Sequence, residues 1–492
     1  MVCKKPIESV MVNETKTKAV IEKSITAFFV LSFDIIVLPY NNERSIMHND
    51  IITQNIKLID EKLIINEKKF ETIKEIKYLV FYVSREFEPR LCERCGALVH
   101  KTNCYHTRVV KTFINFDYPV LLKYNQRRLI CDCGKTMSEN NSIVSKKCKL
   151  SNYLKLEIIK QCKYKHSFTT IAKQLNVDTT TVINTFMDHF TFERKELTEV
   201  ICVDEFSANI NQDNKYACII GDPIGKEIID ILPSRHQYYL EEYLSKIPKE
   251  ERMKVKIVNI DMWEAYKTVF SNYCWNAKIA VDPFHWIGHA TDNFHKLRRI
   301  VEEQIDNPKV KTILRSDWKL FSLKEEKLST KRFYSKLLNR YISNREKVEY
   351  CINSDSRLEI AWSILQEIYK FRDKCTAEQA SDELIKIIEK LEDTKILEMV
   401  TIAKTYRHWF IEICNSFLTY GPYNKKTSNA FIEGKNRLCK EIKAFSCGLN
   451  NFAIYRARIL YISSDGMIPF KKGDNKRKLY KKNKKNRKKK GG

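Results

Sequence analysis

Glycine and proline are scarce in this chain of 492 residues, which has 12 glycines and 11 prolines. Collagen-like and low-complexity architectures are excluded, because they depend on a high content of these residues. Apolar residues make up 43% of the chain and aromatic residues 11%, so disorder along the whole length is excluded as well. The composition predicts helix-rich folded domains, about three of them at roughly 150 residues each.

The chain also lacks a long uninterrupted apolar run. The longest one near the N-terminus, Ile25 to Leu38, is broken by Asp34 and is short for a bilayer span. The opening MVCKKPIESV is followed by polar sequence, not by the apolar core and cleavage site of a secretory signal. We therefore expect neither a membrane anchor nor a secretory leader.

Acidic residues are in deficit, since 61 Asp and Glu stand against 87 Lys and Arg and give a formal net charge of +26. Thirteen of the basic residues fall between Lys471 and Gly492. This tail fits a disordered solubilising end, a DNA contact or, less well, a nuclear address. The body is basic even without it, as expected of a protein that lies along phosphates and releases counterions. Double-stranded DNA is the expected partner.

The 16 cysteines are mostly scattered singly through apolar stretches. Buried thiols in a reducing compartment explain this pattern better than disulfides do. A cytoplasmic, nucleoid-associated protein is expected.

Two cysteine pairs stand apart from this scatter, Cys92 with Cys95 in CERCG and Cys131 with Cys133 in CDCG. Thiolates on glycine-containing turns are how a zinc ribbon surrounds its metal. Strand-like sequence lies between the pairs, as a ribbon needs. These four cysteines are the predicted zinc ligands.

The second pair is one residue shorter than the usual C-x-x-C. His100, Cys104 and His106 lie nearby and are alternative ligands. Thiols that bind no metal are the other interpretation. In either case, the expected role is to fold a small module that lacks a large core.

Residues 150–195 have apolar positions at helical spacing in three short blocks. Ala172 permits close helix approach, and Asn176 to Asp178 form a turn, which together are typical of a helix-turn-helix. The predicted recognition helix then begins with four DNA-facing residues: Thr179, Thr180, Thr181 and Asn184. An ordinary three-helix bundle is the alternative.

From Glu199 onward the pattern changes to three antiparallel strands, followed by helix, strand, helix, strand and helix. This is the order of an RNase-H-like domain. Asp204 lies on the first, central strand and Asp261 at the end of the fourth, and these strands are neighbours in such a sheet. Both carboxylates can therefore approach one point.

A third acid is expected from a later helix, and Glu433 is the best candidate. It belongs to a polar stripe at helical spacing that suits metal and phosphate: Asn429, Glu433, Asn436 and Lys440. A solvated helix face is the alternative. Asp282, in the segment DPFHW with His285, is a supporting residue or a substitute for Asp261.

These segments together resemble the bacterial insertion-sequence transposases of the ISL-three group. The resemblance rests on the two cysteine pairs, the helix-turn-helix, VDEFSA, VNIDMWEAY, AVDPFHW and SNAFIEGKNRLCKEIKAFSCGLNNFAIYRARI, and covers about Leu63 to Ile462. It implies that Asp204, Asp261 and Glu433 form a DDE triad. The N-terminal extension, the short second cysteine pair and the basic tail depart from the group.

Such carboxylates are suitable ligands for Mg²⁺ or Mn²⁺. Two such ions, about 3.5 to 4 Å apart, can activate a water molecule and stabilise the leaving 3′ oxygen. Asp282, His285, Asn429 and Asn436 are the expected supporting residues. Lys435, Arg437 and Lys440 are the expected phosphate contacts on the Glu433 helix.

The fold class expected is therefore α+β and multidomain, with a zinc-ribbon-like module, a helix-turn-helix and an RNase-H-like domain interrupted by an all-helical insertion. The expected divisions are an unassigned extension at 1–61, the zinc module at 62–149, the helix-turn-helix at 150–195, the catalytic domain at 196–300 and 425–465, the insertion at 301–424 and the tail at 466–492.

The sequence predicts a transposase that binds terminal inverted repeats, cleaves DNA and transfers strands, as at least a dimer on DNA. An inactive, transposase-derived DNA-binding regulator is the alternative. A structure-specific nuclease without joining activity is a third candidate.

Overall fold

The structure, a computed structural model, describes residues 56, 59–112, 118–190, 194–209, 215–446 and 449–464. The apolar stretch from Ile25 to Leu38, most of the N-terminal extension and the basic tail lie outside the described residues. The chain forms two compact units, Met1–Leu154 and Lys155–Gly492. No helix among the described residues is long and apolar enough to cross a membrane.

The first unit is built around a five-stranded sheet. Its strands are β1 (Leu63–Ile73), β2 (Ile76–Arg85), β5 (Thr102–Thr112), β6 (Val120–Ile130) and β7 (Thr136–Ser138). The order is β1-β2-β6-β5, with β7 paired to β6, and only the β2–β6 pair is parallel. Two short strands, β3 (Arg90–Leu91) and β4 (Leu98–Val99), form a separate hairpin that carries the first cysteine pair. Buried Phe81, Val110 and Tyr124 belong to the core of this sheet.

The second unit begins with three helices and continues into a mixed sheet. The helices are α1 (Asn152–Gln161), α2 (Phe168–Gln174) and α3 (Thr179–His189). Ser167 caps α2, since its hydroxyl accepts from the Thr170 amide at 2.9 Å. Asp178 occupies the N-cap of α3 without a capping hydrogen bond from its side chain. The turn between the two helices contains Asn176, whose φ of 50° is one that asparagine tolerates.

The sheet of the second unit has five strands: β8 (Val200–Ser207), β9 (Tyr216–Asp222), β10 (Glu227–Leu232), β11 (Ile257–Ile260) and β12 (Lys278–Val281). Their order in the sheet is β10-β9-β8-β11-β12. The first three are antiparallel, and β11 pairs in parallel with both β8 and β12. The sequence pattern predicted three antiparallel strands, two later strands that alternate with helices, and the first strand in the centre, and the structure has this order.

Helices cover both faces of this sheet. Helices α4 (Gln237–Ser245), α5 (Lys249–Arg252), α6 (Glu264–Tyr273) and α7 (Pro283–Gln304) follow in chain order, and α4, α6 and α7 contribute to the core under one face. Asp282 caps α7 and Pro283 occupies its first turn, a favourable start for a helix. Apolar side chains from the segment after α7 belong to the same core, so this segment packs together with the sheet and its helices.

That segment was predicted to be all-helical, and the structure corrects this. It contains α8 (Pro308–Ser316), α9 (Asn344–Ile352), α10 (Ser356–Lys374), α11 (Ala380–Asp393), α12 (Leu397–His408) and α13 (Phe410–Asn415). It also contains two 3₁₀ turns and two hairpins, β13 (Phe333–Ser335) with β14 (Arg340–Ile342) and β15 (Thr419–Tyr420) with β16 (Lys425–Lys426). The first hairpin turns through Asn339 at a φ of 53°, a local backbone choice that helical periodicity does not reveal.

The opposite face of the sheet is covered by the last two helices, α14 (Ala430–Phe445) and α15 (Phe452–Ser463). Ile432 and Cys439 of α14 pack with Cys202 and Phe206 of β8. Gly221 of β9 makes this approach possible, because a Cβ atom there would lie 2.5 Å from Cδ1 of Ile432 and 3.0 Å from a ring carbon of Phe431.

We predict that Gly221→Val lowers the stability of the protein by about 1–3 kcal/mol, the usual cost of overpacking, because Ile432 and Phe431 must move away. Gly434→Ala is the matched control within α14, since nothing lies within 4 Å of the added Cβ. That control should stabilise the protein by about 0.5–1 kcal/mol. Urea unfolding of the two variants measures both effects, and equal stability of Gly221→Val and wild type would contradict this packing.

Candidate functional site

Two carboxylates meet where adjacent parallel strands end. Asp204 lies near the end of β8 and Asp261 directly follows β11. Asp261 is 8% exposed. Burial, the negative charge of Asp261 and a hydrogen bond between the two carboxyl groups raise the pKa of Asp204 to about 8. Without a cation, this pair therefore retains a proton at neutral pH.

Asn429, the N-cap residue of α14, ties this pair to the sheet. Its amide nitrogen Nδ2 donates to Asp261 Oδ1 at 3.2 Å and to the Val203 carbonyl at 3.2 Å. Its Oδ1 accepts from Asn259 Nδ2 at 2.7 Å. Its backbone N–H donates to Asp282 Oδ1 at 2.7 Å. The start of α14 is thus fixed to three strand ends by buried polar contacts.

Asn436, two turns further along α14, binds the other acid. Its Nδ2 donates to Asp204 Oδ2 at 2.7 Å and to the Glu205 carbonyl at 3.3 Å. Asn429 and Asn436, which are seven residues apart at the start of α14 and within it, therefore each bind one of the two carboxylates. These contacts hold two members of the polar stripe, Asn429 and Asn436, against the sheet.

Glu433 lies between these two amides on the same helix face, four residues after Asn429 and three before Asn436. Its side chain is exposed. Among the described residues, the only group of three or more His, Cys, Asp or Glu ligand atoms within 4.8 Å of one another is formed by four cysteines. The structure brings Asp204 and Asp261 together and leaves the Glu433 carboxylate outside their cluster.

His285, in the first turn of α7, contacts Asp261 as well. Its Nε2 lies 2.9 Å from Asp261 Oδ1. Burial disfavours the imidazolium, but the hydrogen bond to Asp261 and the charges of Asp261 and Asp282 outweigh it and raise the pKa of His285. Burial raises the pKa of Asp282, against the opposing effect of the Asn429 N–H bond. Asp282 thus caps α7 and, through the Asn429 N–H, anchors the start of α14.

Sequence reasoning missed three residues beside this pair. Asn259 is 1% exposed, and its only signal was a polar residue inside the apolar strand IVNI. Phe284, the residue before His285, is 71% exposed, and no local pattern in the sequence indicates this exposure. Arg235 forms an ion pair with Glu205, and its Cζ lies 4.7 Å from the Tyr216 ring centre and 4.8 Å from that of Trp263.

The four predicted cysteines form a second cluster in the first unit. The Sγ atoms of Cys92 and Cys133 are 3.6 Å apart, and those of Cys95 and Cys131 are 3.4 Å apart. Backbone N–H groups of Cys95 and Arg94 lower the pKa of the Cys92 thiol to about 6. Converging sulfur atoms of this kind can bind zinc.

Glycines complete both turns of the cysteine cluster. Gly96 has a φ of 72° and Gly134 a φ of 80°, values that favour glycine. Their N–H groups donate to the carbonyls of Cys92 and Cys131 at 3.0 and 2.8 Å. The alternative ligands from the sequence, His100, Cys104 and His106, are exposed and lie outside the cluster. The shortened C-x-C spacing is therefore compatible with four converging thiols.

The predicted DNA contacts lie at the surface. On α3, Thr180 and Asn184 are exposed, whereas Thr179 and Thr181 are half-buried. On α14, Arg437 and Lys440 are exposed, and the Lys435 ammonium lies 5.3 Å from the Phe431 ring centre.

Comparison with known proteins identifies the class. Residues 201–459 match the model of the ISL3 family, which is described as "Transposase". Because the match covers more than half of the chain, this protein belongs to the ISL3 family of insertion-sequence transposases.

A curated relative agrees with the family. The "Transposase for insertion sequence element IS1001" of Bordetella parapertussis is 24% identical over 250 residues. The aligned region is 49% of this chain and 61% of that protein, so the match spans less than two thirds of the relative.

We predict that the purified protein contains one equivalent of zinc, held by the cysteine cluster. Cys133→Ser should lower the zinc content and loosen the first unit, because three thiolates hold the metal less tightly than four. Cys104→Ser, which removes an exposed thiol outside the cluster, is the matched control and should retain zinc. Elemental analysis decides, and equal zinc content in the two variants would refute the assignment.

We predict that Asp204→Asn raises the melting temperature of the chelator-treated protein by several degrees. The pKa of Asp204 is raised from 3.8 to about 8. Ionisation at this site therefore lowers stability increasingly as the pH rises from about 4 to about 8, and the advantage of the variant should grow over that window. Thermal melts at a series of pH values measure it.

Glu205→Gln is the control on the neighbouring residue. It should lower the melting temperature instead, because Glu205 pairs with Arg235 and accepts from the Tyr266 hydroxyl. A lower melting temperature for Asp204→Asn than for wild type at pH 8 would show that the carboxylates of Asp204 and Asp261 do not repel each other.

Proposed function

We propose that this protein is a DNA transposase that binds the terminal inverted repeats of an insertion sequence and performs Mg²⁺-dependent cleavage and strand transfer. The observation that carries this proposal is the Asp204–Asp261 pair at adjacent strand ends, inside the segment that matches the family. The five-stranded order with β8 in the centre supports an RNase-H-like catalytic domain.

The acid pair fits a divalent cation. A proton shared by the half-buried Asp204 and the buried Asp261 marks a place where positive charge is required, and hard oxygen ligands suit Mg²⁺ or Mn²⁺. Asp204 and Asp261 would hold the metal, and Glu433 would complete the set from its position between Asn429 and Asn436. Bound there, divalent cations would activate water and stabilise the leaving 3′ oxygen.

The surrounding residues orient the acids. Asn429 directs one oxygen of Asp261 and Asn436 one oxygen of Asp204, whose other oxygen accepts from the Glu205 N–H at 2.6 Å. A carboxylate oxygen can accept a second partner, so these contacts orient the acids without excluding a metal. His285 holds a proton at Nε2 against Asp261, and entry of a metal would displace that contact. No side chain here is needed as a nucleophile, since water and then a freed 3′-OH serve in turn.

DNA recognition is assigned to α2 and α3 and to the cysteine module. Ala172 is 4% exposed and lies where the two helices approach, while Thr180 and Asn184 face outward. Lys435, Arg437 and Lys440 of α14 are proposed to contact phosphates near the cut. Because transposition pairs two ends, the active form is proposed to be at least a dimer, acting at the nucleoid.

A second candidate is a DNA-binding regulator without catalytic activity. The exposed Glu433, which is separated from the acid pair, favours it. A nuclease that nicks DNA without joining it would share the acid pair and differ only in its products.

We predict that wild-type protein with Mg²⁺ cleaves and joins DNA that carries the element's own ends. Asp204→Ala and Glu433→Gln should each abolish both products by orders of magnitude, because each removes a metal ligand, and should leave specific DNA affinity unchanged. Gel shifts and end-labelled product analysis measure the two properties.

Asp292→Asn, an exposed acid on α7, is the control and should cleave like wild type. Undiminished cleavage by Asp204→Ala would exclude the catalytic assignment. Specific binding without any cleavage by wild type would favour the regulator, and nicking without joining would favour the nuclease.

A further inference from the structure

Helix α15 contacts two parts of the second unit at once. Toward the sheet, the Tyr455 hydroxyl donates to the Cys439 carbonyl of α14 at 2.7 Å, and Arg456 pairs with buried Asp230 of β10 at 2.6 Å. The same helix also contacts the region of α1 to α3. All of these elements belong to one compact unit apart from the first turn of α1. Helix α15 therefore connects the proposed recognition helices to the proposed catalytic helix.

Arg458 makes the central contact of this connection. It is 1% exposed, and one guanidinium nitrogen donates to the carbonyls of Tyr164 and His166 at 3.0 and 2.7 Å. Its Cζ lies 4.7 Å from the ring centre of Phe168 and 5.9 Å from that of Phe186. Burying a guanidinium is costly, so these acceptors and rings have to stay in place around it.

Three further contacts fix the same corner, which consists of the last turn of α1 and the segment between α1 and α2. Lys163 Nζ donates to the Tyr461 carbonyl at 2.7 Å, and the Tyr461 hydroxyl donates to the Ile159 carbonyl at 3.1 Å. Lys165 pairs with Glu441 at 2.6 Å, and Glu441 lies on α14 itself, eight residues after Glu433. The corner is thus bound both to α15 and directly to the helix that carries Glu433.

A recognition module on a flexible linker would have none of these contacts. Phe186 of α3 packs edge-on against Tyr461, with ring centres 5.5 Å apart, so the recognition helix itself shares the interface. The exposed residues Thr180 and Asn184 lie elsewhere on α3 and remain available to DNA. Rigid attachment and DNA recognition are therefore compatible.

We propose that Arg458 is a positioning residue that fixes α3 relative to α14, so that a rigid protein body sets the distance from the recognised sequence to the cleaved bond. This inference rests on the proposed function. It goes beyond that function by assigning the choice of cut position to the α15 contacts.

The first test needs only wild-type protein. DNA ends are prepared with one to ten base pairs inserted between the bound sequence and the normal cut, and the 3′ ends are mapped by sequencing with Mg²⁺ present. Rigid attachment predicts that the cut stays at a constant distance from the bound sequence. A cut that stays at the original terminus for every insertion would overturn the proposal.

The second test uses Arg458→Met, which keeps the volume of the side chain and removes its hydrogen bonds. We expect DNA affinity within about threefold of wild type, cut positions spread over several nucleotides, and faster hydrogen exchange in α1 to α3 with little change in β8 to β12. Arg407→Met, an exposed arginine paired with Glu392, is the control and should cut sharply. Sharp cuts and unchanged exchange in Arg458→Met would refute the positioning role.

The third test uses exposed residues, so that it remains possible if Arg458→Met fails to fold. Lys165 and Glu441 are 57% and 40% exposed, so Lys165→Glu should not unfold the chain, yet it should speed exchange at the corner. Adding Glu441→Lys should restore the wild-type rate, and lack of restoration would contradict the contact. If wild type does not cleave, the proposed function fails, whereas hydrogen exchange in these variants still decides the attachment.

Discussion

The second unit depends on one constraint: two carboxyl groups are held against each other where water is largely excluded. There, Asp204 and Asp261 either share a proton, so that only one negative charge remains, or need a cation to balance two charges. Their position follows from the sheet, because β8 and β11 run in parallel and end side by side. The amides of Asn429 and Asn436 then hold one acid each, which requires α14 to lie close against the sheet at Gly221. An arrangement that lowers stability in this way is typical of a site kept for its chemistry.

The pattern of the sequence predicted the parts of this site that depend on local structure. Short apolar segments separated by turns located the strands, and their order placed Asp204 and Asp261 on neighbouring strands. Helical spacing placed Asn429, Glu433 and Asn436 on one face. The glycine-containing cysteine turns predicted the four converging thiols.

The remaining features depend on contacts between distant segments, which no local pattern encodes. The hydrogen bond from Asn259 to Asn429 joins residues 170 positions apart. The buried Arg458 resembles any arginine in a helical stretch until α1 to α3 pack around it. The hairpin at Asn339 arises from a single backbone turn with a φ of 53°.

Binding of a divalent cation between the two acids tests the account most directly. Crystals of the full chain soaked in Mn²⁺ and measured at a wavelength that gives anomalous scattering from manganese would locate the ion. We predict anomalous density in contact with Asp204 and Asp261, with the Glu433 side chain turned toward it and the carboxyl–carboxyl hydrogen bond lost. Persistence of that hydrogen bond at saturating Mn²⁺, with no density beside either acid, would contradict the central claim.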